Sequence, residues 1–156
     1  MNFFKKKTKN SRGMTMLEVI AVLVVLGIVS AVAVNRLTPS GNELYTERDI
    51  LKSNLRFAQF KALSNNDDAS TTWGISFASG TYTLQRNGAA STIYFPSDNS
   101  ATHTLSGGVT VTVTPPPSVT YDFWGSPGTA DISVTLSQSG QAPIIFNITG
   151  TTGFIP

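Results

Sequence analysis

The stretch KNSRGMTMLEVIAVLVVLGIVSAVAV, residues 9–34, joins a basic segment to a long apolar run. The apolar run extends from Leu17 to Val34, and Glu18 is its only charged residue. As a helix these residues would span about 27 Å, close to the ~30 Å hydrocarbon core of a bilayer. The run therefore predicts a transmembrane helix, and it raises the question of why a carboxylate lies just inside its leading edge.

Positive charge is concentrated before this run. Residues 1–13 contain no acidic residue and five of the eleven lysines and arginines, which are Lys5, Lys6, Lys7, Lys9 and Arg12. Residues 14–156 hold six bases against nine acids, a net charge of −3. Basic residues on one side of a span predict that this side stays in the cytoplasm and that the C-terminal part lies outside. The remaining sequence contains no visible basic patch, so we predict no nucleic-acid partner.

A secretory signal peptide is the first alternative for this segment. Its cleavage site would follow the apolar core at small residues, and the sequence VSAVAV supplies Ser30, Ala31 and Ala33. The apolar run is longer than the roughly 7–15 residues of a typical signal core, and a signal peptide gives Glu18 no role. This alternative predicts a mature N-terminus beyond Val34.

The sequence SRG followed by MTMLEVIAVLVVLGIVSAVAV resembles the class III leader and N-terminal helix of type IV pilins and type II secretion pseudopilins. The resemblance implies that residues 1–13 are a prepilin leader peptide. Prepilin peptidase would cleave between Gly13 and Met14, and Met14 would then be N-methylated. Glu18 becomes the fifth mature residue, where the family carries a glutamate. One departure is that many pilins have a helix-kinking proline where this chain has Asn35.

The physical chemistry of the carboxylate agrees with this resemblance. A charged carboxylate at the bilayer centre costs about 2.5–3.5 kcal/mol and persists only with a partner. Cleavage would create a positive α-amine on Met14, which can partly neutralise Glu18 of the same helix or pair with Glu18 of a neighbouring subunit. We therefore predict that Glu18 is an assembly residue. The alternative is a glutamate that is favoured simply by the helix macrodipole.

Beyond RLTPSGN the sequence predicts an amphipathic helix from about Glu43 to Ser64. Its apolar stripe is Leu44, Leu51, Leu55, Ala58 and Ala62, with the charged residues, Glu47 among them, expected elsewhere. From Thr72 onward the period changes to two, and ASG and NG mark turns. The predicted strands are Trp73–Phe77, Thr81–Arg86, Thr92–Phe95, Val109–Thr114, Val119–Phe123, Ile132–Ser137 and Ile144–Thr149. A helix of this kind needs a sheet to cover it, so we predict an α+β fold with one antiparallel sheet.

Two further stretches, LKSNLRFAQFKALSNN…TTWGISF and IIFNITGTTGFI, resemble the soluble domains of GspH/FimT-type minor pilins and pseudopilins. The resemblance implies the pilin fold. The chain would then comprise a leader at 1–13, a transmembrane and assembly helix at 14–37, an amphipathic helix at 38–64 and an extracytoplasmic β-rich domain at 65–156.

The residues offer little enzyme chemistry. The absence of cysteine excludes disulfides and thiolate sites. His103, in the polar sequence NSATHTL, is predicted to be a solvated loop residue, and Asp67–Asp68 belongs to no calcium-loop motif. Four aromatic residues are predicted to be buried against the helix rather than to form an exposed patch: Trp73, Tyr121, Phe123 and Trp124. We predict no enzyme, no metal and no cofactor.

The predicted function is a structural subunit, and specifically a minor one, of a type IV pilus or type II secretion pseudopilus. The implied partners are other pilin or pseudopilin subunits, the prepilin peptidase/N-methyltransferase and the inner-membrane assembly platform. The implied location is the bacterial inner membrane, with the N-terminus cytoplasmic and the C-terminal domain periplasmic, and then the filament. The alternative is a membrane-anchored periplasmic binding domain that never polymerises, which would need neither Gly13 nor Glu18.

Overall fold

The computed structural model describes residues 15–37, 42–64, 70–115 and 117–156. For residues 31–37 it describes the backbone only. The chain divides into two compact units, residues 1–38 and residues 39–156. The first unit contains a single described helix, and the second contains a helix and all eight described strands. This composition of helix and antiparallel sheet confirms the predicted α+β class.

Helix α1 comprises Met16–Leu37. It is rich in valine and isoleucine, which are modest helix formers in water. In an apolar environment the same residues favour a helix, because a helix satisfies every backbone hydrogen bond within its own segment. No helix among the described residues reaches the combined length and hydropathy that a membrane crossing requires.

Helix α2 comprises Asn42–Leu63 and carries Glu43 in its first turn and Lys61 in its last. All five residues of the predicted apolar stripe are at most 1% exposed. They recur at helical spacing, so they form one face, and this face packs mainly on strand β1. Glu47 and Asn54 are buried beside them, although both are polar.

The strands form two antiparallel sheets rather than the single sheet predicted. Their bounds are β1 Trp73–Ala78, β2 Thr81–Arg86, β3 Ala89–Ala90, β4 Thr102–Thr104, β5 Thr110–Thr114, β6 Ser118–Tyr121, β7 Ile132–Ser137 and β8 Ile144–Ile148. The first sheet has the order β3-β2-β1-β6, and β4 also pairs with β2. The second has the order β5-β7-β8. The buried faces of both sheets and of α2 supply one hydrophobic core.

Both predicted turns are present. The sequence ASG joins β1 to β2, with Ala78 paired to Thr81. At the second turn Asn87 and Gly88 have φ angles of 51° and 76°. Positive φ at both central positions is the type I′ geometry that favours Asn-Gly in two-residue hairpins.

The predicted strand Thr92–Phe95 is wrong. Phe95 is the only one of these four residues that is buried. The segment is followed by Pro96, where the chain turns and the Asp98 N–H donates to the Phe95 carbonyl at 3.1 Å. Strand β4 follows instead, at Thr102–Thr104. The predicted strand Val119–Phe123 also ends earlier, at Tyr121, because Asp122 starts a hydrogen-bonded turn.

Candidate assembly site

The start of α1 is a capped helix end that places Glu18 in the first turn. The backbone N–H of Glu18 donates to the Thr15 hydroxyl at 3.2 Å and to the Thr15 carbonyl at 3.0 Å. Thr15 is therefore the N-cap, and Glu18 is the third helical residue, as in a capping box. The partial positive charge of a helix N-terminus favours a carboxylate here. The predicted processing residues Gly13 and Met14 lie outside the described residues.

Glu18 starts one stripe along α1. Ala21, Val22, Val25 and Leu26 follow it at helical spacing, and the five side chains line a shallow groove of about 310 Å³. Apart from the carboxylate, this groove is apolar. Within the described residues no cation forms an ion pair with Glu18. The arrangement thus presents an unpaired carboxylate at the edge of an apolar surface.

From Val19 to Val29, α1 presents apolar side chains on every face. Its described side chains, from Thr15 to Ser30, are all exposed, including Leu17 at 80% and Leu23 at 63%. A helix that is hydrophobic all round is normally buried in protein or lipid. The helix therefore has the surface of an element that is covered by something other than water.

A second cluster, inside the residue 39–156 unit, joins α2 to β4. His103 Nε2 lies 2.9 Å from Glu47 Oε2, and His103 Nδ1 lies 2.8 Å from Asp98 Oδ2. The other Glu47 oxygen accepts hydrogen bonds from the Ser106 N–H at 2.9 Å and the Ser106 hydroxyl at 2.6 Å. The Tyr82 ring stacks on the imidazole with centroids 4.9 Å apart. The Glu47 and His103 side chains are only 4% and 11% exposed.

The contacts in this cluster favour the charged forms of His103 and Glu47. Burial alone would lower the pKa of His103, but its hydrogen bonds and charge interactions with Glu47 and Asp98 raise that pKa above its ordinary value. Burial likewise acts to raise the pKa of Glu47, yet hydrogen bonds from Ser106 and His103 leave it lowered. Both ring nitrogens face carboxylates, and the Ser106 hydroxyl donates to Glu47. The Ser106 hydroxyl therefore donates to Glu47 and not to the imidazole, so these residues do not form a serine–histidine pair.

The predictions for His103 and Glu47 are wrong. His103 is 9% exposed and lies in β4, not in a solvated loop. A local signal existed, because the strand alternates exposed, buried, exposed across Thr102, His103 and Thr104. Glu47 lies three residues after Leu44 and four before Leu51, which is the spacing of the buried stripe. Its position on the apolar face was overlooked because its side chain is charged.

The fold is similar to that of two crystal forms of the type IV minor pilin FimU from Pseudomonas aeruginosa. The first gives a TM-score of 0.56 at 17% identity and covers 74% of this chain and 87% of that one. The second gives 0.51 at 14% identity, with coverage of 75% and 90%. This likeness confirms the predicted pilin fold. A search of curated protein sequences finds no match.

Residues 8–34 match the model of the prokaryotic N-terminal methylation motif. The matched segment includes Gly13, Met14 and Glu18, and it continues along most of α1. The motif and the fold together confirm the predicted resemblance to the type IV pilin family. The motif coincides with the helix whose capped first turn presents the carboxylate.

The four aromatic residues that were predicted to be buried differ in exposure, and Phe123 is half-buried. Trp73 and Tyr121 are buried, as predicted, at 4% and 0% exposure. Trp124 is 79% exposed, so the prediction that it is buried is wrong. The turn that starts at Asp122 directs its side chain outward, and nothing in the local sequence period shows this. Asp67–Asp68 lies outside the described residues, and the described ones contain no cluster that could hold a metal ion.

We expect the protein to be most stable at mildly acidic pH. The raised pKa of His103 contributes stability below its unfolded value of 6.5, and this contribution is lost as pH rises through the folded pKa. The lowered pKa of Glu47 contributes stability above 4.5, which is lost as pH falls through the folded pKa. Urea unfolding of the full-length chain in mild detergent, from about pH 4 to about pH 9, measures the loss of stability on the acidic and on the alkaline side. His103→Gln should remove the loss of stability on the alkaline side. A wild-type chain whose unfolding free energy does not fall on the alkaline side would contradict this assignment.

Proposed function

We propose that this chain is a structural subunit of a type IV pilus or type II secretion pseudopilus and that α1 packs against the helices of neighbouring subunits. The observation that carries the proposal is the exposed Glu18 carboxylate at the start of a helix whose next residues present apolar side chains on every face. Such a helix needs a covering surface, and such a carboxylate needs a cation. A filament of parallel subunits supplies both at once.

The proposed sequence of events begins at the leader. Residues 14–37 insert in the inner membrane with residues 1–13 in the cytoplasm, and prepilin peptidase cleaves after Gly13. The new α-amine of Met14 is N-methylated and stays positive. When the assembly platform adds the subunit, Glu18 of one chain pairs with the Met14 amine of its neighbour. Because an unpaired charge in an apolar surrounding is expensive, this pairing selects one axial register.

The finer proposal is a minor subunit. It is supported by the resemblance of residues 51–77 and 144–155 to GspH/FimT-type sequences and by the fold likeness to FimU, a minor pilin. A minor subunit enters the filament through the same helix contacts, so the role proposed for Glu18 is the same in either case.

Leader processing is expected to give a mature protein that begins at Met14 with one added methyl group. Intact-mass measurement of the chain, expressed with a prepilin peptidase, tests this directly. Gly13→Val should retain the leader, because the residue that ends the leader is altered. Gly27→Val is the matched control, since a Cβ at Gly27 has no neighbour within 4 Å, and it should be processed normally. A mature N-terminus beyond Val34 would instead identify a secretory signal peptide and overturn the proposal.

A further inference from the structure

His103 is held between two carboxylates, and this arrangement requires a charged imidazole. Its Nε2 lies 2.9 Å from Glu47 Oε2, and its Nδ1 lies 2.8 Å from Asp98 Oδ2. A protonated imidazole has an N–H on each nitrogen and donates to both carboxylates. A neutral imidazole has a single N–H, so its other nitrogen would turn a lone pair towards a carboxylate oxygen. At these separations that contact is repulsive, so the loss of the proton must break one of the two contacts.

The two carboxylates differ in how firmly they are held. The Glu47 side chain is only 4% exposed, and its other oxygen accepts hydrogen bonds from the N–H and the hydroxyl of Ser106. The Asp98 side chain is 25% exposed, and its other described side-chain partner is the neighbouring Ser97 hydroxyl at 3.3 Å. Water can replace a lost partner at Asp98 but not at the buried Glu47, where an unpaired charge is expensive. The remaining N–H therefore stays on Nε2 of His103, and the contact with Asp98 is the one that breaks.

A third titratable side chain, Tyr82 of β2, stacks on the imidazole with ring centroids 4.9 Å apart. Its hydroxyl accepts a hydrogen bond from the Asn54 amide at 2.9 Å, and burial raises the pKa of Tyr82 above its ordinary value. Tyr82 therefore stays neutral over the pH range in which a histidine titrates. Burial acts to lower the pKa of His103, but the interactions with Glu47 and Asp98 leave it raised above 6.5. The imidazole therefore loses its proton on the alkaline side of this value.

Asp98 belongs to a short loop, residues 96–100, which we name the Asp98 loop. The Asp98 N–H donates to the Phe95 carbonyl at 3.1 Å, which closes the turn. Among the described hydrogen bonds, the one from His103 to Asp98 is the only one that joins a side chain of residues 96–99 to a residue outside the loop. The tip of the loop is therefore attached to the domain through a contact that depends on one proton.

The Asp98 loop also forms one wall of a groove on α2. Ser97 lines this groove, which has a volume of about 330 Å³, together with four residues on one flank of the helix: Thr46, Asp49, Ile50 and Ser53. A movement of the loop away from α2 would therefore widen the groove.

We propose that His103 is a proton-dependent latch for the Asp98 loop. While the imidazole is charged, it holds Asp98, and the loop closes one side of the groove on α2. When the imidazole loses its proton, Asp98 turns to water and the loop moves away from α2. Glu47 keeps its hydrogen bonds to Ser106, so the helix stays attached to the rest of the domain. The latch lies entirely within the residue 39–156 unit, so it is independent of the role proposed for α1.

Hydrogen–deuterium exchange of the full-length chain in mild detergent, resolved to single residues by mass spectrometry, tests the latch. Each rate is compared with the intrinsic rate of an unstructured chain at the same pH, so that the remaining change reports on the structure. Between about pH 6 and about pH 9, the protection of the Asp98 N–H should fall by about tenfold or more. The Ser106 N–H, which donates to Glu47, and the N–H of Ile75 in β1 should keep their protection.

Two variants separate the latch from a purely structural contact. Asp98→Asn keeps the shape of the side chain, and its amide can donate to the lone pair on Nδ1 of a neutral His103. The N–H of residue 98 should therefore stay protected at about pH 9 in this variant. Asp49→Asn is the matched control, because Asp49 lines the same groove but pairs with Arg48 at 2.8 Å, and its response should equal that of wild type.

Three results would overturn the latch. The first is wild-type protection at Asp98 that does not change with pH. The second is an equal fall at Asp98, Ser106 and Ile75, which would mean that the domain opens as a whole. The third is a fall in Asp98→Asn as large as in wild type, which would mean that the charge on the His103 imidazole does not hold the loop.

Discussion

Glu18→Val is expected to leave the chain in the membrane and correctly processed, yet to remove most of it from the filament. Membrane insertion should be unchanged or improved, because a costly carboxylate is removed from an apolar helix. Processing should survive, because Gly13 and the basic leader are intact. Assembly should fail, because the Met14 amine of the neighbour loses its partner in an apolar surrounding. The measurement is the amount of variant that co-purifies with its filament partners, compared with wild type.

Two further variants sharpen this result. Glu18→Asp should give intermediate recovery, since the charge is kept but its reach is shortened. Ser30→Val changes a polar residue of the same helix without touching the carboxylate, and it should assemble like wild type. If Glu18→Val were recovered as well as wild type, the carboxylate would have no docking role, and the helix macrodipole would suffice to explain its position.

Glu47→Ala is expected to be the most destabilising single change in the domain. The substitution leaves His103 charged and buried beside Asp98 and leaves the Ser106 N–H and hydroxyl without their acceptor. Removing one partner of a buried ion pair typically costs about 3–5 kcal/mol of unfolding free energy. Urea unfolding of the full-length chain, compared with wild type near pH 6 in the same detergent, measures the loss.

The control is Glu43→Ala, four residues earlier on the same helix, where the carboxylate is half-buried and, among the described residues, accepts a hydrogen bond from the Gln138 amide at 3.3 Å. Its cost should stay near 1 kcal/mol, the typical contribution of one hydrogen bond. Replacing Glu47 and His103 together by leucine should recover part of the loss, because no unpaired charge then remains. If Glu47→Ala lowered the unfolding free energy by less than about 1 kcal/mol, the cluster that joins α2 to β4 would have no stabilising role.

The parts of the fold that follow from local periodicity could be predicted from the sequence. The stripe from Leu44 to Ala62 is buried as expected, since its helical spacing leaves one face for the core. Strands with clear alternation, such as Ile132–Ser137, are also where the pattern places them. The division into two sheets could not be predicted, because alternation identifies the buried face of a strand but not its neighbours.

Features made by contacts between distant residues were missed. His103 and Glu47 are 56 positions apart, and each looks solvated until the fold brings them together. Trp124 shows the opposite error, because its size suggests burial while the turn at Asp122 points it outward. The assembly site differs again. Its motif is visible in the sequence, but the proposed partner of Glu18 belongs to another subunit, so one chain cannot display the contact.

The central claim is that this chain is a processed filament subunit, and isolating filaments from cells that express the full-length chain tests it most directly. Filaments are separated from membranes, and each fraction is examined by mass spectrometry for the N-terminal peptide. The account predicts a peptide beginning at methylated Met14 in the filament fraction, strongly reduced for Glu18→Val. A chain confined to the membrane fraction in wild-type cells, with filaments present but lacking it, would contradict the account and favour an anchored domain that does not polymerise.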